Sequence, residues 1–232
     1  MLIVKSVIGV LFQVVLFGLP LLLPAGLLPT GTWLWEDAII FLLLYFVLVT
    51  AASIYLCIYY PEAIEARLHV SSPKQPMADK FAITIFGLGW IGGMICIPID
   101  VFHWTIFTPP SFTIQLLGLG IVILGLVLIL ITHTQNAYIA PIVAIQEDRG
   151  QVLIDTGLYA YVRHPMYLGF LLLMSGESLW LGSIFFATFG AALFLLVMLP
   201  RIFIEEKTLK NGLKGYEDYL ARVRYRIIPK FF

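Results

Sequence analysis

Long runs of apolar residues, separated by short polar turns, dominate the pattern of hydrophobic and polar positions along this chain. The first four runs cover residues 2–28, 38–60, 81–99 and 112–132. A helix rises about 1.5 Å per residue, so about 20 residues cross the hydrocarbon core of a bilayer. Each of these runs therefore predicts one transmembrane helix.

A fifth apolar stretch, residues 166–199, is too long for a single crossing. Gly182 and Ser183 near its middle predict a turn, because glycine adopts the backbone angles that tight turns require. We expect two short helices here, the second of which continues past the bilayer toward Leu209. The predicted fold class is an all-α integral membrane protein with about six transmembrane helices, the last two forming a helical hairpin.

The overall composition agrees with this interpretation. Hydrophobic residues make up 60% of the chain and charged residues only 12%, whereas a soluble domain is about half apolar and a quarter charged. The formal net charge is zero, so nothing indicates nucleic acid or another highly charged partner. Cys57 and Cys96 lie inside apolar runs and are expected to be small buried hydrophobes. No residues have metal-ligand spacing, so no metal is predicted.

Basic residues are distributed unevenly among the segments that connect the predicted spans. The positive-inside rule places short loops rich in Lys and Arg on the cytoplasmic side. With the N-terminus inside, all 14 Lys and Arg residues fall in cytoplasmic segments. We therefore predict a multi-pass protein with both termini in the cytoplasm. The cytoplasmic segments are the N-terminal start, 61–80, 133–165 and the tail from 201 to 232; the outer turns are 29–37, 100–111 and 182–183.

The segment from Gln151 to Tyr167 is mixed in character and leads directly into the fifth apolar stretch. Pro165 predicts that a helix begins here, because proline is tolerated in the first helical turn and not in the interior. Arg163 and His164 would then lie at a helix N-terminus, where free N–H groups and the helix dipole favour an anionic ligand group. These residues predict a binding site at the cytoplasmic membrane surface, which completes the fold prediction with a cytoplasmic pocket.

Two features of the apolar runs have more than one interpretation. The third run is rich in glycine, and small residues let helices approach closely in lipid, so we expect a packing role. Glu177 is the one carboxylate within residues 166–199, and an ionisable residue in a membrane segment suggests function. Because Glu177 lies five residues before Gly182, it could instead reach the outer interface, and both interpretations remain open.

The polar tail contains one further predicted element. Residues 216–226 combine Tyr219 and Val223 with alternating arginines. This pattern predicts an amphipathic surface helix near anionic lipid headgroups, which could also cover the predicted binding site.

Three motifs follow one another in the second half of the chain. The first is Thr-Gly-Leu-Tyr-Ala-Tyr-Val-Arg-His-Pro-Met-Tyr-Leu-Gly at 156–169; the second is Arg201-x3-Glu205-Glu206-x2-Leu209; the third is Gly215-Tyr216-x2-Tyr219-x3-Val223, followed by Pro229. The ordered series closely resembles the isoprenylcysteine carboxyl methyltransferases and the related phospholipid methyltransferases. The resemblance covers roughly residues 140–230. We accordingly divide the chain into four transmembrane helices, 1–132, and a methyltransferase core, 133–232, with cofactor loop, helical hairpin and tail.

This resemblance implies S-adenosylmethionine as the cofactor and a set of residues that contact it. Met166 stands where the family often has a small residue and Gln151 where histidine is frequent, so cofactor contacts would differ in detail. Gln146 matches the family's upstream glutamine only with a shift in spacing. The implied cofactor-binding residues are Gln146, Gln151, Val152, Leu153, Ile154, Tyr159, His164, Pro165, Met166, Tyr167 and Glu205.

The resemblance also implies that Arg201 faces the acceptor substrate, with Arg163 as a second catalytic candidate. The alternative for Arg201 is structural, because Arg201 and Glu205 share a helix face and could form an interfacial salt bridge. A carboxylate acceptor is already ionised near neutral pH, so its methylation needs no general base. Catalysis would then rest on positioning, which can contribute about 7–11 kcal/mol.

The implied acceptor is a lipophilic molecule that enters from the bilayer, with the carboxylate of a prenylated cysteine or an analogue as the first choice. Phospholipid amines and small thiols are the alternatives, and Arg201 would repel an ammonium group. Membrane sterol reductases, which use NADPH, carry a related His-Pro-x-Tyr-like ending and represent a different reaction class. A structural membrane protein with a vestigial site is the non-enzymatic alternative. The oligomeric state is not predicted.

Overall fold

A computed structural model of the chain describes residues 1–68 and 75–231. The regular structure in these residues is entirely helical. Short π-helical segments extend α4 at its end, Asp100–Trp104, and lead into α7, Phe186–Gly190. The helices are α1 (Leu2–Leu27), α2 (Glu36–Tyr59), α3 (Pro61–Leu68), α4 (Met77–Ile99), α5 (Phe112–Gln135), α6 (Pro165–Trp180), α7 (Ala191–Gly212) and α8 (Tyr216–Arg222).

Helices α1, α2 and α5 reach membrane-spanning length, as do α4 together with Asp100–Trp104 and α7 together with Phe186–Gly190. These are five helices, among the described residues, that are long and apolar enough to cross a bilayer. They confirm the prediction of an all-α membrane protein, and four of them coincide with the first four predicted spans. Helix α6 has 16 residues and is therefore about 24 Å long, shorter than the hydrocarbon core of about 30 Å. A total of six spans stays a prediction.

Polar contacts between distant segments define the two ends of the helix bundle. At one end Arg201 contacts Asp79, with Nη1 2.6 Å from Oδ1, and we call this the site end. At the opposite end the Ser183 hydroxyl donates to Asp100 Oδ2 at 2.6 Å. The turns at the opposite end contain no Lys or Arg. The basic residues are therefore found toward the site end and not in the turns of the opposite end.

Helices α5 and α6 pack closely because glycines face each other along their contact. A Cβ atom built on Gly176 would lie 2.7 Å from the carbonyl oxygen of Gly118, and one on Gly125 would lie 2.8 Å from that of Gly169. The backbones therefore touch at two places, seven residues apart on each helix. Any side chain at these positions would force the helices apart. This contact holds α6, and with it the start of the predicted site, against the bundle.

The glycines of α4 have a different role from the one predicted. Among the described residues, a Cβ atom on Gly87, Gly89, Gly92 or Gly93 would have no neighbour within 4 Å. The prediction that these glycines bring helices of this chain together is wrong, because no other helix in the described part of the chain comes that close to them. The missing side chains leave space instead.

The turn between α6 and α7 occurs where the sequence predicts it. Gly182 has φ of +96°, a conformation that glycine adopts without strain. Glu177, one turn earlier on α6, is only 2% exposed. The interpretation that Glu177 reaches the outer interface is therefore wrong, since its side chain is enclosed by the protein.

The tail departs from its predicted helix. Helix α8 covers only the first seven residues of 216–226, and the backbone then becomes extended. The carbonyl groups of Tyr225 and Arg226 accept hydrogen bonds from the N–H groups of Arg163, at 3.0 Å, and His164, at 2.8 Å. These two amides precede α6 and have no helical partner, so the tail satisfies them. These two N–H groups are therefore not available to bind an anion.

We expect Gly176→Ala to lower the thermal stability of the protein, because the new methyl group would lie 2.7 Å from backbone atoms of α5. Overpacking of this kind costs about 1–3 kcal/mol. Gly87→Ala is the matched control, since it adds the same methyl group at an open position. Melting temperatures of the purified proteins in detergent would measure the difference, and equal values would contradict the packing described here.

Candidate active site

A cavity with many polar groups opens at the site end of the bundle, and we call it the polar cavity. Its walls come from the loop before α6, the first turn of α6, the C-terminal half of α7, and α8. Twelve of the thirteen site residues predicted from the sequence line it. They are Gln151, Val152, Leu153, Ile154, Tyr159, Arg163, His164, Pro165, Met166, Tyr167, Arg201 and Glu205.

Gln146 is the predicted site residue that does not line the polar cavity. Its side-chain amide donates to the carbonyl oxygen of Tyr138 at 2.6 Å, and its backbone N–H donates to the side chain of Gln151 at 2.9 Å. Arg149 donates to the Gln146 side-chain oxygen. These bonds fix the loop that carries Gln151. Gln146 therefore stabilises a loop that lines the cavity without lining it itself.

The start of α6 follows the predicted local rule. The helix begins at Pro165, with His164 as its N-cap residue, because proline has a preset φ and no N–H to lose. The N-terminus of α6 faces two carboxylates of α7. His164 Nδ1 lies 3.8 Å from Glu205 Oε2, and His164 Nε2 lies 3.3 Å from Glu206 Oε1. The attraction of a helix N-terminus for anions is thus met in part by side chains of α7.

Glu205 is the carboxylate of this pair that remains accessible from the polar cavity. Its side chain is 29% exposed, and its Oε2 accepts a hydrogen bond from the Tyr167 hydroxyl at 2.8 Å. Tyr167 is itself 4% exposed, so its position is tightly held. Glu205 therefore presents a fixed negative charge to whatever occupies the cavity.

Glu206 points away from Glu205 and binds the second predicted arginine. Arg163 Nη1 lies 3.2 Å from Glu206 Oε1, and Arg226 Nε lies 3.3 Å from Glu206 Oε2. Burial lowers the pKa of the Arg163 guanidinium, and the charge of Glu206 opposes that effect. Arg163 thus lines the cavity, while Glu206, which is not among the lining residues, balances its charge.

Arg201 makes no direct ion pair with Glu205, although the two residues share a helix face. Its Nε donates to the Tyr167 hydroxyl at 2.9 Å and its Nη2 donates to the Pro141 carbonyl at 2.8 Å. The Tyr167 hydroxyl donates in turn to Glu205. A chain of hydrogen bonds therefore connects the guanidinium to the carboxylate, and Arg201 is 7% exposed. A residue held in this way does not extend freely toward a membrane interface.

Asp79 is the partner of Arg201 that the sequence does not reveal. It is fully buried and contacts Arg201 Nη1 at 2.6 Å, and it also accepts a hydrogen bond from the Val143 N–H at 2.9 Å. The sequence assigns it to a soluble connector, 61–80, part of which lies outside the described residues. The sequence shows only a carboxylate two residues before an apolar run, on the same predicted side as Arg201, and a solvated carboxylate would look the same.

The loop before α6 is held by buried tyrosines. Asn136 donates to the Tyr159 hydroxyl at 3.1 Å, and the Tyr219 hydroxyl donates to the Tyr159 carbonyl at 2.9 Å. Burial raises the pKa of both tyrosine hydroxyls, so both remain protonated. Asn136 and Tyr219 also line the polar cavity, although the sequence does not identify either as a site residue.

A second cavity of about 410 Å³ lies among the membrane helices, and we call it the apolar cavity. Its walls are mostly aliphatic and aromatic side chains of α2, α4, α5 and α6. Arg67 and His133 also line it on the side toward the site end. Five residues line both this cavity and the polar cavity, namely Ile139, Ala140, Met166, Tyr167 and Arg201. The two cavities therefore meet at the buried Tyr167–Arg201 pair.

Part of this chain is similar in sequence to known proteins. Residues 116–211 match the sequence profile of the isoprenylcysteine carboxyl methyltransferase family. A curated relative, the protein-S-isoprenylcysteine O-methyltransferase of Schizosaccharomyces pombe, is 32% identical over 83 residues. These comparisons confirm the resemblance predicted from the motifs. The match covers 35% of this chain and 35% of the relative, so the chain spans about a third of the relative's length.

Proposed function

We propose that this protein transfers a methyl group from S-adenosylmethionine to the carboxylate of a prenylated cysteine, or of an analogue, embedded in the membrane. The observation that carries the proposal is the meeting of a polar and an apolar cavity at Tyr167 and Arg201. Such a junction suits a reaction between one water-soluble and one lipophilic molecule. The matching family profile and the yeast relative, both named for isoprenylcysteine methylation, support the same reaction.

The groups that line the polar cavity fit S-adenosylmethionine. Its ammonium group needs a fixed anion, and Glu205 offers one that Tyr167 holds in place. Its carboxylate needs hydrogen-bond donors, which the side chains of His164 and Arg163 can supply next to the N-terminus of α6. The apolar side chains of Leu209 and Leu213 suit the faces of the adenosine. When bound, S-adenosylmethionine would supply an electrophilic methyl group on a sulfonium.

The groups at the junction suit an anionic acceptor. Arg201 presents its guanidinium where the apolar cavity ends, and Arg67 adds a second guanidinium to the same cavity. Both would attract a carboxylate and repel an ammonium, which favours a carboxyl acceptor over a phospholipid amine. The aliphatic walls would hold the prenyl chain, since burial of apolar groups away from water and headgroups is favourable.

The protein's part in the reaction is to position and desolvate. Arg201 is anchored by Asp79, Tyr167 and Pro141, so it can hold one carboxylate oxygen while the other remains free to attack. No general base is required, because the acceptor is already ionised. Tyr167 is hydrogen-bonded to both Glu205 and Arg201, so it would help to position the residue that binds the cofactor relative to the residue that binds the acceptor. Correct alignment of two reactants can lower a barrier by about 7–11 kcal/mol.

The remaining sequence predictions extend this proposal. We propose that the site end faces the cytoplasm together with both termini, because the basic residues lie at that end. Helix α6 would be a short sixth span, with flanking residues reaching the interfaces. The acceptor would enter from the bilayer through the apolar cavity.

The function is tested by supplying labelled S-adenosylmethionine and a panel of acceptors to the purified protein in lipid. We expect label in base-labile methyl ester on N-acetyl-S-farnesylcysteine, and little on phosphatidylethanolamine or a small thiol. Label on either of those acceptors instead would favour the corresponding alternative. Binding of NADPH without S-adenosylmethionine binding would favour the reductase class, and binding of neither cofactor would favour a structural protein.

Replacement of Glu205 by Gln should weaken S-adenosylmethionine binding, because the amide removes the charge that faces the cofactor ammonium. A lost charged hydrogen bond costs about 1–3 kcal/mol, which is roughly a 5- to 150-fold rise in Kd. Glu217→Gln is the control, since Glu217 lies on the exposed face of α8 and pairs with Lys210. Titration calorimetry gives both dissociation constants. An unchanged value for Glu205→Gln would remove Glu205 from the cofactor site.

A further inference from the structure

A third cavity, of about 560 Å³, lies between α4, α6 and α7, and we call it the glycine-face cavity. It exists because Gly89, Gly92 and Gly93 present no side chains on this face of α4. Its volume lies within the range of about 300–1,000 Å³ that is usual for small-molecule sites. Leu88 and Leu193, which line it, are 66% and 59% exposed, so the cavity opens toward the surface that lipid would cover.

Among the residues that the structure describes, Glu177 is the one acidic or basic side chain that lines the glycine-face cavity. It is 2% exposed, and no group in the described part of the chain forms a hydrogen bond with its Oε1. A buried oxygen without a partner is costly, because its hydrogen bonds to water are lost and nothing replaces them. Neighbouring Ser178 does not supply the missing bond, since its hydroxyl donates to the Met174 carbonyl at 2.8 Å. The Glu177 carboxylate therefore has unfilled acceptor capacity at the wall of an otherwise largely apolar space.

Aromatic side chains separate this cavity from the apolar cavity of the proposed reaction. Phe86 lines both cavities, and its ring packs at 5.5 Å from Trp90, 6.4 Å from Phe170 and 5.7 Å from Phe194. Trp90 and Phe170 also contact each other edge to face at 6.0 Å. Glu177 lies three turns along α6 from its start at Pro165, so it is remote from the methyl-transfer site.

We infer that the glycine-face cavity is a second lipid-binding site, which takes a single-chain amphiphile whose polar end is a hydroxyl group. The chain would lie on the face of α4 formed by Gly89, Gly92 and Gly93, and the hydroxyl would donate its hydrogen bond to the Glu177 carboxylate. A hydroxyl matches the site because it brings a single donor, which the carboxylate can accept. An ammonium carries three donors, so two of them would remain unsatisfied in the apolar surroundings.

The test uses photoactivatable hexadecanol, which carries a diazirine in mid-chain, with the full-length protein in lipid nanodiscs. The methyl ether of the same probe is the chain-matched control without a donor. After irradiation, mass spectrometry locates the adducts. We expect the alcohol to label peptides of α4 and α7 at least about fivefold more than the ether, the scale of one hydrogen bond. Equal labelling by both probes would mean that acyl chains merely fill a groove, which overturns the proposal.

Two pairs of variants refine this measurement. Glu177→Leu should reduce labelling by the alcohol to the level of the ether, whereas Glu177→Gln keeps an acceptor oxygen and should retain most of it. Gly93→Leu should fill the cavity and abolish labelling by both probes, whereas Gly87→Leu adds the same side chain at an open position outside the cavity. Unchanged labelling of Glu177→Leu, or of Gly93→Leu, would overturn the assignment.

Competition with the acceptor separates this site from the methyl-transfer site. An excess of N-acetyl-S-farnesylcysteine should leave the labelling of α4 and α7 unchanged, because the aromatic wall divides the two cavities. Displacement by this compound would show that the glycine-face cavity is an extension of the acceptor site and would overturn a separate lipid site. Labelling does not depend on methyl transfer, so the result stands apart from the outcome of the activity assay.

Discussion

Substitution of Lys for Arg201 is expected to lower the turnover of methyl transfer by about a hundredfold, the cost of misplacing a reacting group by about 1 Å, while S-adenosylmethionine affinity changes little. The Arg201 guanidinium has five N–H donors. Three of them go to Asp79, Tyr167 and Pro141, so two remain for the acceptor carboxylate. Lysine keeps the charge but lacks the planar fork, and it cannot contact three fixed partners and an acceptor together.

Turnover and cofactor affinity should be measured on the same folded preparation, with saturating acceptor for the rate and calorimetry for the Kd. Arg222→Lys is the matched control, because Arg222 forms an exposed pair with Asp155 at 2.6 Å. Exposed pairs contribute about 0–1 kcal/mol, so this variant should behave like the unaltered protein. Normal turnover in Arg201→Lys would give Arg201 a structural role only. A parallel loss of cofactor binding would make it a partner of Glu205 instead.

Removal of the Asp79 carboxylate is expected to cause the largest loss of stability. Asp79→Ala would leave Arg201 buried without its counter-charge and would leave the Val143 N–H without an acceptor. Breaking a buried ion pair by removing one partner costs about 3–5 kcal/mol. The free energy of unfolding from titration with sodium dodecyl sulfate in mixed micelles would measure the loss.

Two further variants interpret the Asp79 result. Asp155→Ala removes one partner of an exposed pair and should cost only about 0–1 kcal/mol. The double variant Asp79→Leu with Arg201→Met replaces the buried pair by apolar groups and should recover much of the stability, although it should not recover methyl transfer. A loss in Asp79→Ala no greater than that in Asp155→Ala would contradict the importance of the buried pair.

Features that depend on neighbouring residues were predictable from the sequence. Apolar runs of spanning length identified four helices because the thickness of a bilayer sets the number of residues needed. Pro165 identified the start of α6 because its ring restricts only its own turn. Most cofactor-site predictions lie within 151–167, a short segment that a single loop and helix start can bring to one cavity.

Features that depend on residues far apart in the chain were decided by the tertiary structure. Asp79 and Arg201 are 122 residues apart, and no local pattern distinguishes Asp79 from a solvated carboxylate. The glycine-rich face of α4 and the paired glycines of α5 and α6 look alike as sequence. Only the second set packs, because a glycine brings helices together only where another backbone approaches it. The unfilled acceptor of Glu177 follows from that same difference, since a face of α4 without side chains opposes it.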